Sequence, residues 1–188
     1  IETALAEHHQ GLPVVTSVNA YLINTGSKLI LVDTGAGSLL GDGLGKLVVN
    51  LKAAGYQPQQ VDEIYLTHMH PDHLGGLTQN GKAAFPNAVV RAGQQDADFW
   101  LSESRLKQAP PKEKASFENV IAALKPYQAA GHFKTFSNDG ELSPGISAFA
   151  AHGHTPGHSI YLVESQGKKL LLLGDLIHVA AVQFAHPR

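Results

Sequence analysis

Hydrophobic and polar positions alternate in short runs along this 188-residue chain, and glycine or proline breaks the runs at close intervals. Val14–Asn24 is rich in β-branched and aromatic residues and predicts a strand. Gly26-Ser27 predicts a turn and Lys28–Val32 (KLILV) a second strand, so the pair reads as a hairpin. Asp33-Thr34-Gly35 then leaves the sheet. Leu44, Leu47, Val48 and Leu51 recur at helical spacing, with Gly55 as the stop. Val61–Thr67 predicts a buried strand and Asn87–Arg91 another. Gln94–Leu101 and Lys112–Leu124 predict helices, and the polar stretch Ser102–Lys114, which carries Pro110-Pro111, predicts a loop between them. Phe133–Phe136, Ile146–Ala151, Ser159–Glu164 and Lys169–Leu173 predict further strands. This order describes a mixed α/β chain whose helices cover sheet faces.

Length and composition narrow the chemistry. A chain of 188 residues suits one domain, 1–188, and a domain of that size buries about 70% of the surface its unfolded chain exposes. With no cysteine, disulfide scaffolds, thiol nucleophiles and thiolate metal sites are excluded, so any metal must sit on nitrogen and oxygen. Lys and Arg total 14 against 16 Asp and Glu, with no basic stripe, so no nucleic-acid partner is expected. The apolar stretches Leu170–Leu173 and Ile177–Phe184 are interrupted by Gly174, Asp175 and His178, too short and too polar to cross a bilayer. No charged segment followed by an apolar run opens the chain, which begins with Ile. The compartment, whether periplasmic, secreted or cytoplasmic, stays open.

Histidine is the outlier, with 11 residues, six of them in two clusters. THMHPDHLGG (Thr67–Gly76) sets His68, His70, Asp72 and His73 at the end of a buried strand. In extended backbone His68 and His70 face the same way, and Asp72 and His73, after the turn at Pro71, face a second point. Imidazole and carboxylate at this density suit zinc or another borderline first-row ion. The second cluster is His152, His154 and His158, again after a strand. One histidine of this turn can complete a three-imidazole set with His68 and His70, and His154 is preferred. His158, beyond the Pro-Gly turn, reads as a supporting or packed histidine, and His152 as an orienting or solvent-facing one. Asp175 ends the apolar strand at Leu173. A carboxylate there is costly unless paired or ligated, so a bridging role is favoured over a helix cap. Asp33 reads either as the group that orients a metal-bound histidine or as an ordinary turn residue.

LVDTG, THMHPDHLGG, GHTPGHS and LLGD together resemble the successive motifs of the metallo-β-lactamase superfamily, over roughly Val14 to Phe184. AFPNAVVRAGQQDADFWLS, HGHTPGHS and LVESQGKKLLLLGDLIHVAAVQF are most similar to the methyl parathion hydrolases and their relatives. The resemblance implies an αββα sandwich with the site at one edge of the two sheets. It implies a first metal on His68, His70 and His154, a second on Asp72 and His73, Asp175 bridging, and a homodimer. Asp72 and Asp175 are the expected catalytic carboxylates, and two zinc or other divalent ions the expected cofactors. The family's N-terminal segment, its C-terminal helix and strands, and a further histidine beyond the bridging Asp have no counterpart here, so the chain reads as a fragment of a longer one.

Histidine at position 70, where oxygen-reducing di-iron relatives carry Glu, favours hydrolysis, and the lack of cysteine argues against the common zinc β-lactamases. Trp100 and Phe117 match aromatic residues of a leaving-group pocket. Leu40 stands where another pocket aromatic is usual, and His178 where an aliphatic residue is usual. The expected substrates are organophosphate triesters, with lactones and aryl esters as further ones. The alternatives are a lactonase or other ester or thioester hydrolase, or a non-catalytic metal-binding fragment.

Overall fold

The structure is a computed structural model that describes residues 1–41, 43–137, 139–184 and 186. Its elements in chain order are α1 (Glu2–Glu7), β1 (Tyr21–Asn24), β2 (Leu29–Val32), α2 (Leu47–Ala53), β3 (Glu63–Tyr65), α3 (Pro71–Leu74), β4 (Thr78–Gln79), β5 (Lys82–Ala83) and β6 (Val89–Gly93). They continue with α4 (Gln94–Trp100), α5 (Glu103–Gln108), α6 (Pro111–Ala129), β7 (Phe133–Phe136), β8 (Gly140–Ser143), β9 (Ile146–Ala150), β10 (Ser159–Ser165), β11 (Lys168–Leu172) and α7 (Ala180–Gln183).

Two sheets dominate. The first runs β1-β2-β3-β6-β7, with β1 antiparallel to β2 and the other neighbours parallel. The second is antiparallel, in the order β11-β10-β9-β8. Ile30, Val32 and Tyr65 of the first sheet meet Ile146, Ala148, Tyr161 and Leu172 of the second in one buried cluster. The opposite face of the first sheet, through Leu31, Ile64 and Val90, packs on Leu51 of α2 and on Phe117, Val120 and Leu124 of α6. Among the described residues the architecture is therefore a helix layer, a sheet and a second sheet, three of the four layers that the resemblance implies. Phe149, Ile160, Leu162 and Leu171 lie on the outer face of the second sheet, and Phe149 and Leu171 are exposed.

The strands match the alternation of the sequence, with differences at their ends. Only Tyr21–Asn24 of the expected strand Val14–Asn24 pairs, because its partner β2 offers four residues; upstream, Val15 is 94% exposed. β3 is trimmed to three residues because its ladders to both neighbours end at Tyr65. Ser102–Lys114 is not a loop throughout. Ser102 caps α5 by accepting the Arg105 N–H at 3.4 Å, and Pro111 opens α6. α6 also runs past Leu124 to Ala129, since its last turns bury Tyr127, whose hydroxyl donates to the Leu77 carbonyl. The two short helices α1 and α7 and strands β4, β5 and β8 carry no periodicity long enough to read.

Candidate metal centre

The C-terminal end of β3 carries the first histidine cluster. β10 grips this exit from the sheet: the Tyr161 hydroxyl donates to the Leu66 carbonyl at 2.6 Å, and the Ser159 N–H donates to the Thr67 carbonyl at 2.8 Å. Beyond it, His70 is extended and Pro71 starts α3, as proline does at a first helical position. That single turn brings Asp72 and His73 back beside His68. The second cluster sits in the β9–β10 turn, and Asp175 follows β11. Gly174 between them has φ +53°, and a Cβ there would lie 2.8 Å from both the His158 ring and the Thr67 side chain. Only glycine lets Asp175 approach this closely.

The side chains converge. His70 Nδ1 lies 3.1 Å from His68 Nε2 and 3.0 Å from His154 Nε2. Nitrogens of a tetrahedral zinc site stand about 3.3 Å apart for zinc–nitrogen bonds of about 2.05 Å. Asp175 Oδ2 lies 3.2 Å from His154 Nε2 and 3.9 Å from His68 Nε2, whereas Oδ1 lies 3.0 Å from His73 Nε2. Asp72 Oδ2 is 3.6 Å from the same His73 nitrogen. One carboxylate thus faces two groups of nitrogens with its two oxygens. His68, His70 and His154 form one set able to hold a metal ion, and His68, His73 and Asp175 another.

The protonation states suit this chemistry. Burial first, then the neighbouring imidazoles, holds His68 far below the usual histidine range and His70 below it as well. Burial also lowers His154 and His158. These rings are neutral and present lone pairs, as metal binding requires. For His73 burial works downwards, but its contacts with Asp175 and Asp33 outweigh it and push it up to about 10. For Asp175 burial works upwards, but the His73 hydrogen bond and charge prevail, so the carboxyl is held well below its ordinary range and stays ionised. A cation in this cluster would take the place of the His73 proton.

Asp33 organises both groups. It is buried, with φ +57°, a conformation that non-glycine residues rarely adopt. Its Oδ1 accepts the Thr67 N–H at 2.8 Å; its Oδ2 accepts the Thr67 hydroxyl at 2.8 Å and lies 2.8 Å from His73 Nδ1. Thr67 Oγ1 is in turn 3.0 Å from His68 Nδ1. With that hydroxyl donating to Asp33, it accepts from His68 Nδ1–H. Both Nδ1 atoms therefore carry protons; His68 Nε2 turns its lone pair to the cluster, and His73 Nε2 would do so once a cation takes the place of its proton. The sequence does not single out Thr67 and Tyr161, because one hydroxyl just past the end of β3 and another within β10 give no periodic signal.

His158 is fully buried, and its Nε2 accepts the Asp175 N–H at 3.0 Å, outside the convergent set. His152 is exposed in the turn. His178 Nε2 lies 3.0 Å from Asp175 Oδ2. Two cavities flank the cluster. One, of about 470 Å³, is lined by Asp72, His73, Asp175 and His178; the other, of about 310 Å³, by His70, His154, Phe99, Trp100 and Phe117. The expected pocket residues are thus split: Trp100 and Phe117 line the aromatic cavity, His178 the other. Leu40, which the resemblance sets in a pocket, is 56% exposed at the end of a surface turn and lines neither cavity.

The sequence model of the metallo-β-lactamase superfamily matches residues 13–187. The chain belongs to that superfamily. It is similar to a solved hydrolase of the β-lactamase superfamily, AbOPH, with a TM-score of 0.91 and 41% identity, over 99% of this chain and 66% of the other. AidC, a dizinc quorum-quenching lactonase solved with a product, N-hexanoyl-L-homoserine, superposes with a TM-score of 0.88 and 31% identity over the same shares. An N-acyl homoserine lactonase of Bacillus cereus is 29% identical over 128 residues, 68% of this chain and 43% of the relative. The chain therefore spans less than two thirds of the length of these relatives.

Proposed function

We propose that the full-length protein is a binuclear metal-dependent hydrolase of small-molecule esters, with a lactone as the preferred substrate. The observation that carries this is the Asp175 carboxylate, whose two oxygens face two separate imidazole groups. His68, His70 and His154 would hold one divalent ion, Asp72 and His73 a second, with Asp175 shared; the nitrogen-rich donor set favours zinc. Divalent ions bound there lower the pKa of coordinated water towards about 7 and polarise the substrate oxygen. The protein supplies the rest. Asp33 and Thr67 fix the ring orientations, and the ionised Asp175 offsets positive charge. Phe99, Trp100 and Phe117 form an apolar wall beside His70 that seats an acyl chain and excludes water. The lactonases among the similar proteins support the substrate class.

A second reading rests on the same wall. Trp100 and Phe117, with ring centroids 4.8 Å apart, also offer stacking surface to the aryl leaving group of an organophosphate triester. Full-length protein assayed with an N-acyl homoserine lactone, an aryl ester and methyl parathion separates the two. The expected result is the highest kcat/KM on the lactone, with all three activities lost on chelation and restored by zinc. Activity that survives exhaustive chelation overturns the proposal, and metal binding without turnover of any ester would favour a non-catalytic role.

A further inference from the structure

The two histidine loops are joined by a residue that belongs to neither. Asp96, in the first turn of α4, is completely buried. Its Oδ2 accepts the Met69 N–H at 2.8 Å, and its Oδ1 accepts the Gly157 N–H at 2.7 Å. Met69 stands between His68 and His70. Gly157 stands three residues past His154 and directly before His158. The second of these loops meets α4 backbone to backbone, for a Cβ on Gly157 would lie 2.2 Å from the Asp96 nitrogen, and a Cβ on Gly93 2.5 Å from the Gly157 carbonyl oxygen. Two amide hydrogen bonds satisfy the carboxylate oxygens, yet among the described residues no basic side chain pairs with it. A buried carboxylate without a counter-charge is costly. A cation held by the adjoining imidazoles would supply that charge.

We infer that Asp96 is a positioning residue, which locks the loop of His68 and His70 to the loop of His154 and complements the charge of the ion they hold. The inference rests on the metal reading above. Asp96 touches neither ion nor substrate; it acts through the backbone that carries the ligands. Asp96→Asn keeps the volume but turns an amide –NH₂ towards one of the two backbone N–H groups and removes the charge.

The test uses the full-length protein loaded with zinc, and with cobalt(II) for its visible absorption. Asp96→Asn is expected to lower metal affinity, measured by chelator competition, about 10- to 100-fold. The cobalt d–d bands should change in position and intensity, as a purely structural residue would not make them do. Affinity and spectrum equal to the parent's overturn the inference while leaving the hydrolase reading intact. A parent that binds no divalent ion overturns both. Hydrogen exchange of the metal-free parent decides the matter if the variant does not fold. Met69 and Gly157 amides far more protected than that of exposed His152 support the lock, and equal exchange at all three overturns it.

Discussion

Each candidate ligand is only as useful as the group that orients it. His68 has a donor nitrogen in the three-imidazole set and also stands in the set with His73 and Asp175, so His68→Ala should lose most bound metal and most activity. His158 acts differently, since its ring accepts the Asp175 N–H. His158→Ala leaves that amide without its partner, and about 10-fold weaker metal binding is expected. Equal metal loss in the two variants, by elemental analysis, would contradict this division of roles. His178 reaches the same carboxylate from the open side, with its side chain 51% exposed and 3.0 Å from Asp175 Oδ2. It lines the larger cavity, where it can hydrogen-bond a substrate. His178→Leu should retain its metal and shift the ratio of kcat/KM for lactone over phosphotriester about tenfold, or about 1.4 kcal/mol. An unchanged ratio places His178 outside the substrate's reach.

At the scale of elements, the parallel strands that deliver the first cluster are pinned from below by Glu63 on β3. Its carboxylate is buried, accepts Arg91 Nε from β6 at 2.6 Å, and pairs with Lys28 just before β2. Burial alone would raise this carboxyl, but the hydrogen bonds and charges of Lys28 and Arg91 outweigh it and hold it below its ordinary value of 4.5. A carboxyl lowered by folding contributes stability above its unfolded pKa and loses that contribution as pH falls through its folded one. Glu63→Gln should therefore cost about 2 kcal/mol at pH 7 in urea denaturation. The gap to the parent should narrow below pH 4.5. A gap independent of pH would show that packing, not charge, holds these strands together.

For the whole molecule, metal and fold are expected to be coupled, because the ligands come from three segments: the β3–α3 loop, the β9–β10 turn and the end of β11. Metal that binds only the folded state at 100 times its Kd adds about 2.7 kcal/mol. Stripping metal from full-length protein should then lower the Tm by roughly 5–10 °C, since a domain of this size shifts about 2–4 °C per kcal/mol. A Tm insensitive to chelation would separate the cluster from any metal. What the sequence determined by itself is local. Alternation located most strands, since a strand's two faces repeat every second residue. The spacing in THMHPDH singled out His68, His70, Asp72 and His73, because one strand end and one turn bring those four side chains to neighbouring points. Only the tertiary structure decided the rest. The sequence preferred His154 to His158; that its ring meets His70, that Asp33 and Thr67 set the ring tautomers, and that Asp96 ties two loops together all depend on contacts between residues 27 to 84 positions apart. Such contacts leave no period in the chain. They exist because the sheets bury their facing sides against each other, and that burial brings the loops at one edge within hydrogen-bonding distance.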